Sequence, residues 1–167
     1  MTPNAQWDLG HEAARDIAAS LNLLLADAFA LLLKTKGCRW HVSGPHFQNH
    51  QLLFRALEEQ ITAAIDDVAE RIRRMGATAV NSIGDVCRLR RLADGDVALL
   101  SALEMLAMLL DDNLQLTAHL RDAHCLCEGY GDVATARRLE KWIDDAEGSA
   151  RYLFAASRPT PPETATL

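Results

Sequence analysis

The sequence contains no apolar run that reads as a bilayer span and no leader-like apolar segment. His11, Glu12, Arg15 and Asp16 stand where a leader would be apolar, so a cytoplasmic product without membrane association is expected. Lysine is absent before Lys34, and Arg15 is the only arginine ahead of it. The formal net charge is −6, and the last residues set Arg158 against Glu163. Affinity for nucleic acid comes from clustered cations that displace counterions, so this balance disfavours DNA binding. Arg88, Arg90 and Arg91 form the one rival basic patch and are assigned to packing or solubility. Cysteine is scarce, with four residues, and these are expected as reduced thiols rather than a disulfide framework. His124-Cys125-Leu126-Cys127 has no second Cys/His pair at zinc spacing, and residues two apart on a helix point to nearly opposite sides. Alternating apolar and polar runs bounded by turn residues, the mark of strands, are missing.

What is present is helical periodicity. With 167 residues and 49% hydrophobic content, the chain can form one domain with a sizeable core. A first helix is predicted from about Gly10 to Trp40, with Ile17, Leu21, Leu24, Leu25, Ala28, Leu31 and Leu32 recurring at intervals of three and four. A second follows the Ser43-Gly44-Pro45 turn and stops near Gly76, with a stripe of Leu53, Leu57, Ile61, Ile65, Val68, Ile72 and Met75. Residues 77–95 form a long connection with a short helix around VCRLRRLA. A third helix is predicted over Asp96–Cys127, with a stripe of Leu99, Leu103, Leu106, Leu110, Leu114, Ala118 and Arg121. A fourth runs from its cap Asp132 to Phe154 through Leu139, Trp142, Ile143, Ala146 and Ala150.

Four long helices with one long crossover define an all-α class, the plan of a ferritin-like four-helix bundle. The domain division expected is a flexible N-terminal tail at 1–9, the bundle at 10–156 and a proline-rich disordered tail at 157–167.

On the second helix, Gln51, Arg55, Glu59, Thr62, Asp66 and Glu70 share a polar face. One reading is a solvated surface carrying an Arg55–Glu59 pair. The other is half of a shared site. Arg55 and Asp66 have the same azimuth but lie about 16 Å apart along the axis. An antiparallel second copy on a two-fold axis would bring residues 51 and 55 opposite 66 and 70.

The run WHVSGPHF at Trp40–Phe47 and DDVAERIRRMG at Asp66–Gly76 resemble the Dps group of small ferritins. The likeness continues through SIGDV (Ser82–Val86), LRDAH (Leu120–His124) and GDVATA (Gly131–Ala136). This resemblance implies a four-helix subunit, a hollow shell of twelve, and oxidation of ferrous iron by hydrogen peroxide at two-fold interfaces. It also implies a ferric mineral stored inside, protection against oxidative stress and, in some members, DNA coating. Acid-lined pores at three-fold axes would draw on Asp132, Glu140, Asp144, Asp145 or Glu147.

Carried over position by position, the family's ligand set is incomplete. Its two histidines correspond to Arg39 and Gln51, its aspartate to Arg55, and its partner-subunit acids to Asp66 and Glu70. The formal charge of such a site changes from about −3 to about 0. Arginine neither ligates Fe²⁺ nor welcomes it. Loss of ordinary ferroxidase activity is therefore expected, with Arg39 and Arg55 pairing with the second copy's Asp66 and Glu70 as an assembly contact. Asp66 and Glu70 remain the candidate metal ligands. Two other readings stand: a displaced iron site using His41 or His50, with His46 a third candidate, and a non-enzymatic subunit that mixes with an active relative. Iron is the only cofactor implied.

Overall fold

The computed structural model describes residues 9–158. The tails assigned to 1–9 and 157–167 fall almost wholly outside the described residues. Four long helices carry the fold: α1 (His11–His41), α2 (Phe47–Arg74), α4 (Ala102–Tyr130) and α5 (Val133–Ser157). A short α3 (Ile83–Leu89) and a 3-10 turn, Val97–Leu99, lie in the crossover between α2 and α4. There is no strand among the described residues.

Each boundary has a local chemical cause. At the α1–α2 turn His46 takes a left-handed conformation, φ 63°, and caps α2 without a side-chain hydrogen bond. Helix α3 starts at Ser82, whose hydroxyl accepts from the Asp85 amide. Ser101 and Glu104 form a reciprocal capping box at the start of α4. Its end is closed by left-handed Gly131, φ 74°, and Asp132 then accepts from the Thr135 amide to begin α5.

The hairpins α1–α2 and α4–α5 pack on each other mainly through α1 and α4. Between them lies a core of Ile17, Leu21, Leu25, Leu31, Phe54, Ile72, Leu106, Leu109, Leu139 and Leu153, each essentially inaccessible to water. Much of the apolar side of α1 is consumed there. That helix is nevertheless long and apolar enough by composition to cross a bilayer, contrary to the sequence expectation, and half of its most apolar stretch is buried inside the bundle.

Two expectations for α4 are corrected. The helix begins at Ala102, after the separate 3-10 turn, rather than at Asp96. Its buried face is also different: Leu99, Leu103 and Leu114 are 85%, 56% and 54% exposed, whereas Met105, Leu109, Asp112, Asn113, Thr117 and Leu120 are buried. Leucines lie on both sides of this helix, so spacing alone could not select the inner one. Polar residues are tolerated inside because each has a partner. Lys34 Nζ donates to Asp112 Oδ2 at 2.7 Å, Asn113 Nδ2 to the Leu109 carbonyl at 3.0 Å, and Thr117 Oγ1 to the Asn113 carbonyl at 2.8 Å. Burial pushes the Asp112 carboxyl above its usual range even beside Lys34.

The crossover is fastened by Asp27, which is fully buried on α1. Its Oδ1 accepts from the Arg91 and Leu92 amides at 2.6 and 3.2 Å. Its Oδ2 meets Arg91 Nε at 2.9 Å and His119 Nδ1 of α4 at 3.2 Å. Farther along, Val97 packs so tightly on α1 that a Cβ at Gly37 would lie 2.8 Å from Val97 Cγ2. Arg88 pairs with Asp85, Arg90 with Asp94 and Arg91 with Asp27 of α1, so each arginine of the basic patch seen in the sequence has an acidic partner within the chain.

Asp27→Ala would leave the Arg91 guanidinium and two backbone amides without their acceptor. A loss of about 3–5 kcal/mol is expected, measurable by urea unfolding, with faster amide exchange at Arg91 and Leu92.

Candidate functional site

The positions that matter lie where the end of α1 meets α2. Arg39 is in the last turn of α1 and points across to α2, where its Nε donates to Glu58 Oε1 at 2.5 Å. Lys36, one turn earlier, donates to Glu58 Oε2 at 3.0 Å. Glu58 itself is buried. Burial opposes its ionisation, but the hydrogen bonds and charges of Arg39 and Lys36 outweigh that effect and hold its carboxyl below the usual range. Gln51 Nε2 donates to the Arg39 carbonyl at 3.3 Å. Arg39 and Gln51 are thus brought together, locked to each other and to Glu58, a residue the sequence reading did not single out. No spacing rule could have found it, because Glu58 and Arg39 are neighbours only through α1–α2 packing.

Arg55 is exposed on the outer face of α2. Farther along the same helix, Asp66, Ala69, Glu70, Arg73 and Arg74 line an open hollow of about 480 Å³. Glu70 meets Arg74 Nη2 at 3.5 Å across one helical turn, a contact between two well-exposed groups that adds little. Arg55 and Asp66 lie eleven positions apart on one straight helix, so a single chain does not unite them, as the helical rise requires.

The structure also places the three histidines considered as displaced ligands. His50 shares the core-facing side of α2 with Phe54, their ring centroids 6.5 Å apart, at about 140° around the helix from Arg55. Burial first, and the neighbouring His46 second, push the His50 pKa below the ordinary imidazole value. His41 turns back along α1, its Nδ1 2.8 Å from the Gly37 carbonyl oxygen. His46 occupies the exposed turn. In one chain, none of the three faces Asp66 or Glu70. Among the described residues, no group of three or more His, Cys, Asp or Glu side chains is arranged to hold a metal ion.

The acids assigned to a pore separate into two kinds. Asp132 is only 2% exposed, so it cannot line an aqueous pore. It instead accepts from Arg71 Nη2 at 3.0 Å on both oxygens and from Thr135, tying the end of α2 to the start of α5. Burial works against its charge, but the Thr135 and Arg71 interactions prevail and lower its pKa. Glu147 meets Arg121 at 2.6 Å, Asp145 meets Lys141 at 3.0 Å, and His124 Nε2 lies 3.3 Å from Glu140. Asp144 is exposed. Cys38 and Cys127 are buried, and burial pushes both thiols up to about 12, so neither is a nucleophile near neutral pH. Cys87 and Cys125 are exposed.

A four-helix bundle of two hairpins joined by one long crossover is the plan of the ferritin-like class. The Ferritin-like domain family matches residues 18–155. An uncharacterized low temperature-induced protein of Nostoc sp. is 34% identical, over 96% of this chain and 91% of its own length. A DNA protection during starvation protein of Agrobacterium fabrum is 31% identical, over 94% and 88%. The solved structure of DpsC from Streptomyces coelicolor superposes with a TM-score of 0.89 at 25% identity, covering 96% of this chain and 92% of that one. The chain belongs to the ferritin-like family and, within it, to the Dps group of small ferritins.

Because the Glu58 carboxyl is held below its normal range, its contribution to stability is present above the ordinary glutamate pKa and lost as pH falls through the lowered value. In Glu58→Gln, the matching part of the acid-limb loss should disappear from urea midpoints measured against pH, and stability at neutral pH should fall.

Proposed function

We propose that this protein is a cytoplasmic Dps-like shell subunit, forming a dodecamer, that serves iron binding, iron storage and protection against oxidative stress without ordinary ferroxidase turnover at its two-fold sites. Membership of the small-ferritin group supports the shell and the iron-handling role. The loss of turnover is supported by one observation above all: Arg39 stands at the position of the family's first histidine and is fastened to Glu58 within its own chain.

Chemistry explains the consequence. A ferrous ion needs neutral imidazole nitrogens and carboxylate oxygens that can surrender lone pairs. Arg39 and Arg55 carry permanent charge and no lone pair to donate, while Gln51 offers one weak carbonyl oxygen on an amide whose nitrogen already donates to the Arg39 carbonyl. Once two copies meet, Arg55 would face Asp66 and Glu70 across the two-fold axis, so a guanidinium would neutralise the carboxylates that otherwise attract iron. Arg39 is already engaged by Glu58 within its own chain, so the intersubunit contact rests on Arg55. This differs from the sequence expectation, in which both arginines crossed the interface. DNA coating has no support from charge, since the cations of the crossover are paired within the chain.

Purified shells mixed with Fe²⁺ and hydrogen peroxide should show no fast stoichiometric oxidation by stopped-flow absorbance. Fast turnover that disappears in Asp66→Asn would overturn the reading. Replacing Arg39 by His, Gln51 by His and Arg55 by Asp together should restore at least a tenfold faster phase. Arg55→Ala alone should weaken the two-fold dimer in sedimentation velocity.

A further inference from the structure

The two halves of the shared-site surface are built differently. At the α1–α2 junction Arg39 and Lys36 are both held by Glu58, at 2.5 and 3.0 Å, so neither is left to cross to a second subunit. Farther along α2, Asp66 and Glu70 are exposed and line the open hollow of about 480 Å³. Among the described residues Asp66 makes no ion pair, and Glu70 has only Arg74 at 3.5 Å. Arg73, the other cation of that hollow, donates through Nη1 to the Ala77 carbonyl at 2.7 Å. The acid half is intact and open, while the half that would face it has lost its ligands.

Charge on the two halves does not balance when identical chains pair. Each site then sets the two carboxylates of one subunit against the exposed Arg55 of the other, leaving about −1 once Arg39 is spent inside its own chain. A single guanidinium covers only part of what Asp66 and Glu70 offer.

We propose that the Asp66–Glu70 face takes, as its partner, a different chain of this fold that carries two imidazoles and a carboxylate in place of Arg39, Gln51 and Arg55, and that this protein thereby completes the partner's iron site. The inference rests on the reading above, in which the protein's own two-fold sites do not turn over. A two-fold dimer has two such sites, and each draws one half from each chain. In a mixed dimer one site joins the partner's imidazoles and carboxylate to Asp66 and Glu70, with a charge of about −3 and lone pairs suited to Fe²⁺. The other site sets Arg55 against the partner's own acids and stays shut to iron. Nothing in the charge sorts the chains apart, because the two sites of a mixed dimer carry the mean charge of the two self-paired dimers and no repulsive element acts against mixing.

The test uses the full chain and a probe partner made from it, Arg39→His, Gln51→His and Arg55→Asp, with Asp66→Asn and Glu70→Gln added so that it brings ligands but no acids. The two are co-expressed under different affinity tags, and mixed shells are isolated on both. Anaerobic titration should show about one Fe²⁺ bound per mixed two-fold dimer counted by native mass spectrometry, a site absent from either parent. Hydrogen peroxide should then oxidise that iron at least tenfold faster than in either parent. Placing Asp66→Asn and Glu70→Gln in the other chain as well should abolish both signals. Where the probe does not assemble, Arg55→Asp with Asp66→Asn replaces it, and its mixed shells should bind Fe²⁺ at least threefold more tightly than either parent. Mixed shells that bind no more iron than their parents, or chains that form shells separately but never together, would overturn the inference while leaving the reading beneath it intact. Fast turnover by the wild-type shell alone would overturn that reading instead.

Discussion

A single buried carboxylate governs how this chain closes. Asp27 lies on the mostly apolar inner side of α1 and takes the backbone amides of Arg91 and Leu92 together with the Arg91 guanidinium and His119. A bundle whose second and third long helices are joined by a crossover must dock that segment somewhere. Hydrophobic burial alone is too non-directional to fix its register. The Asp27 contacts supply direction, and the ion pair of Lys34 with Asp112 lies farther along the same α1–α4 interface. Removing water from these charges is costly, so their value lies in specifying one arrangement of the crossover on α1 and α4.

The same logic extends to the candidate site. In each case a carboxylate is taken out of water and surrounded by cations: Asp27 by Arg91, Glu58 by Arg39 and Lys36, Asp132 by Arg71. A metal centre would use carboxylates differently, leaving their charge for an incoming ion. At the α1–α2 junction the protein supplies its own cations, and Glu58 is committed before a second subunit arrives. What remains for an interface is the exposed row of Arg55, Asp66 and Glu70, a surface suited to charge pairing.

Helical periodicity and capping residues made most of the fold legible from the amino acids. The spans of α1 and α2, the Asp132 cap and the buried Leu139, Trp142 and Ala146 of α5 follow from local pattern, as does a short helix in the crossover, although it lies at Ile83–Leu89 rather than around VCRLRRLA. The inner face of α4 did not follow. Its leucines occupy two sides, and the deciding contacts, Asp112 with Lys34 and the approach of the crossover to α1, join residues far apart in sequence.

For the candidate site, the chain by itself determined the donor chemistry: arginine at positions 39 and 55 and glutamine at 51, whatever the fold. It also determined that Arg55 and Asp66 cannot meet within one straight helix, because the rise per residue is fixed. Tertiary structure alone decided that Arg39 turns inward to Glu58, that His50 packs toward Phe54, and that Asp132 is an internal tie rather than a pore acid. The physical reason is common to all three. Side-chain identity sets which interactions are allowed, but the distance between helices sets which of them form, and that distance is a property of the packed core.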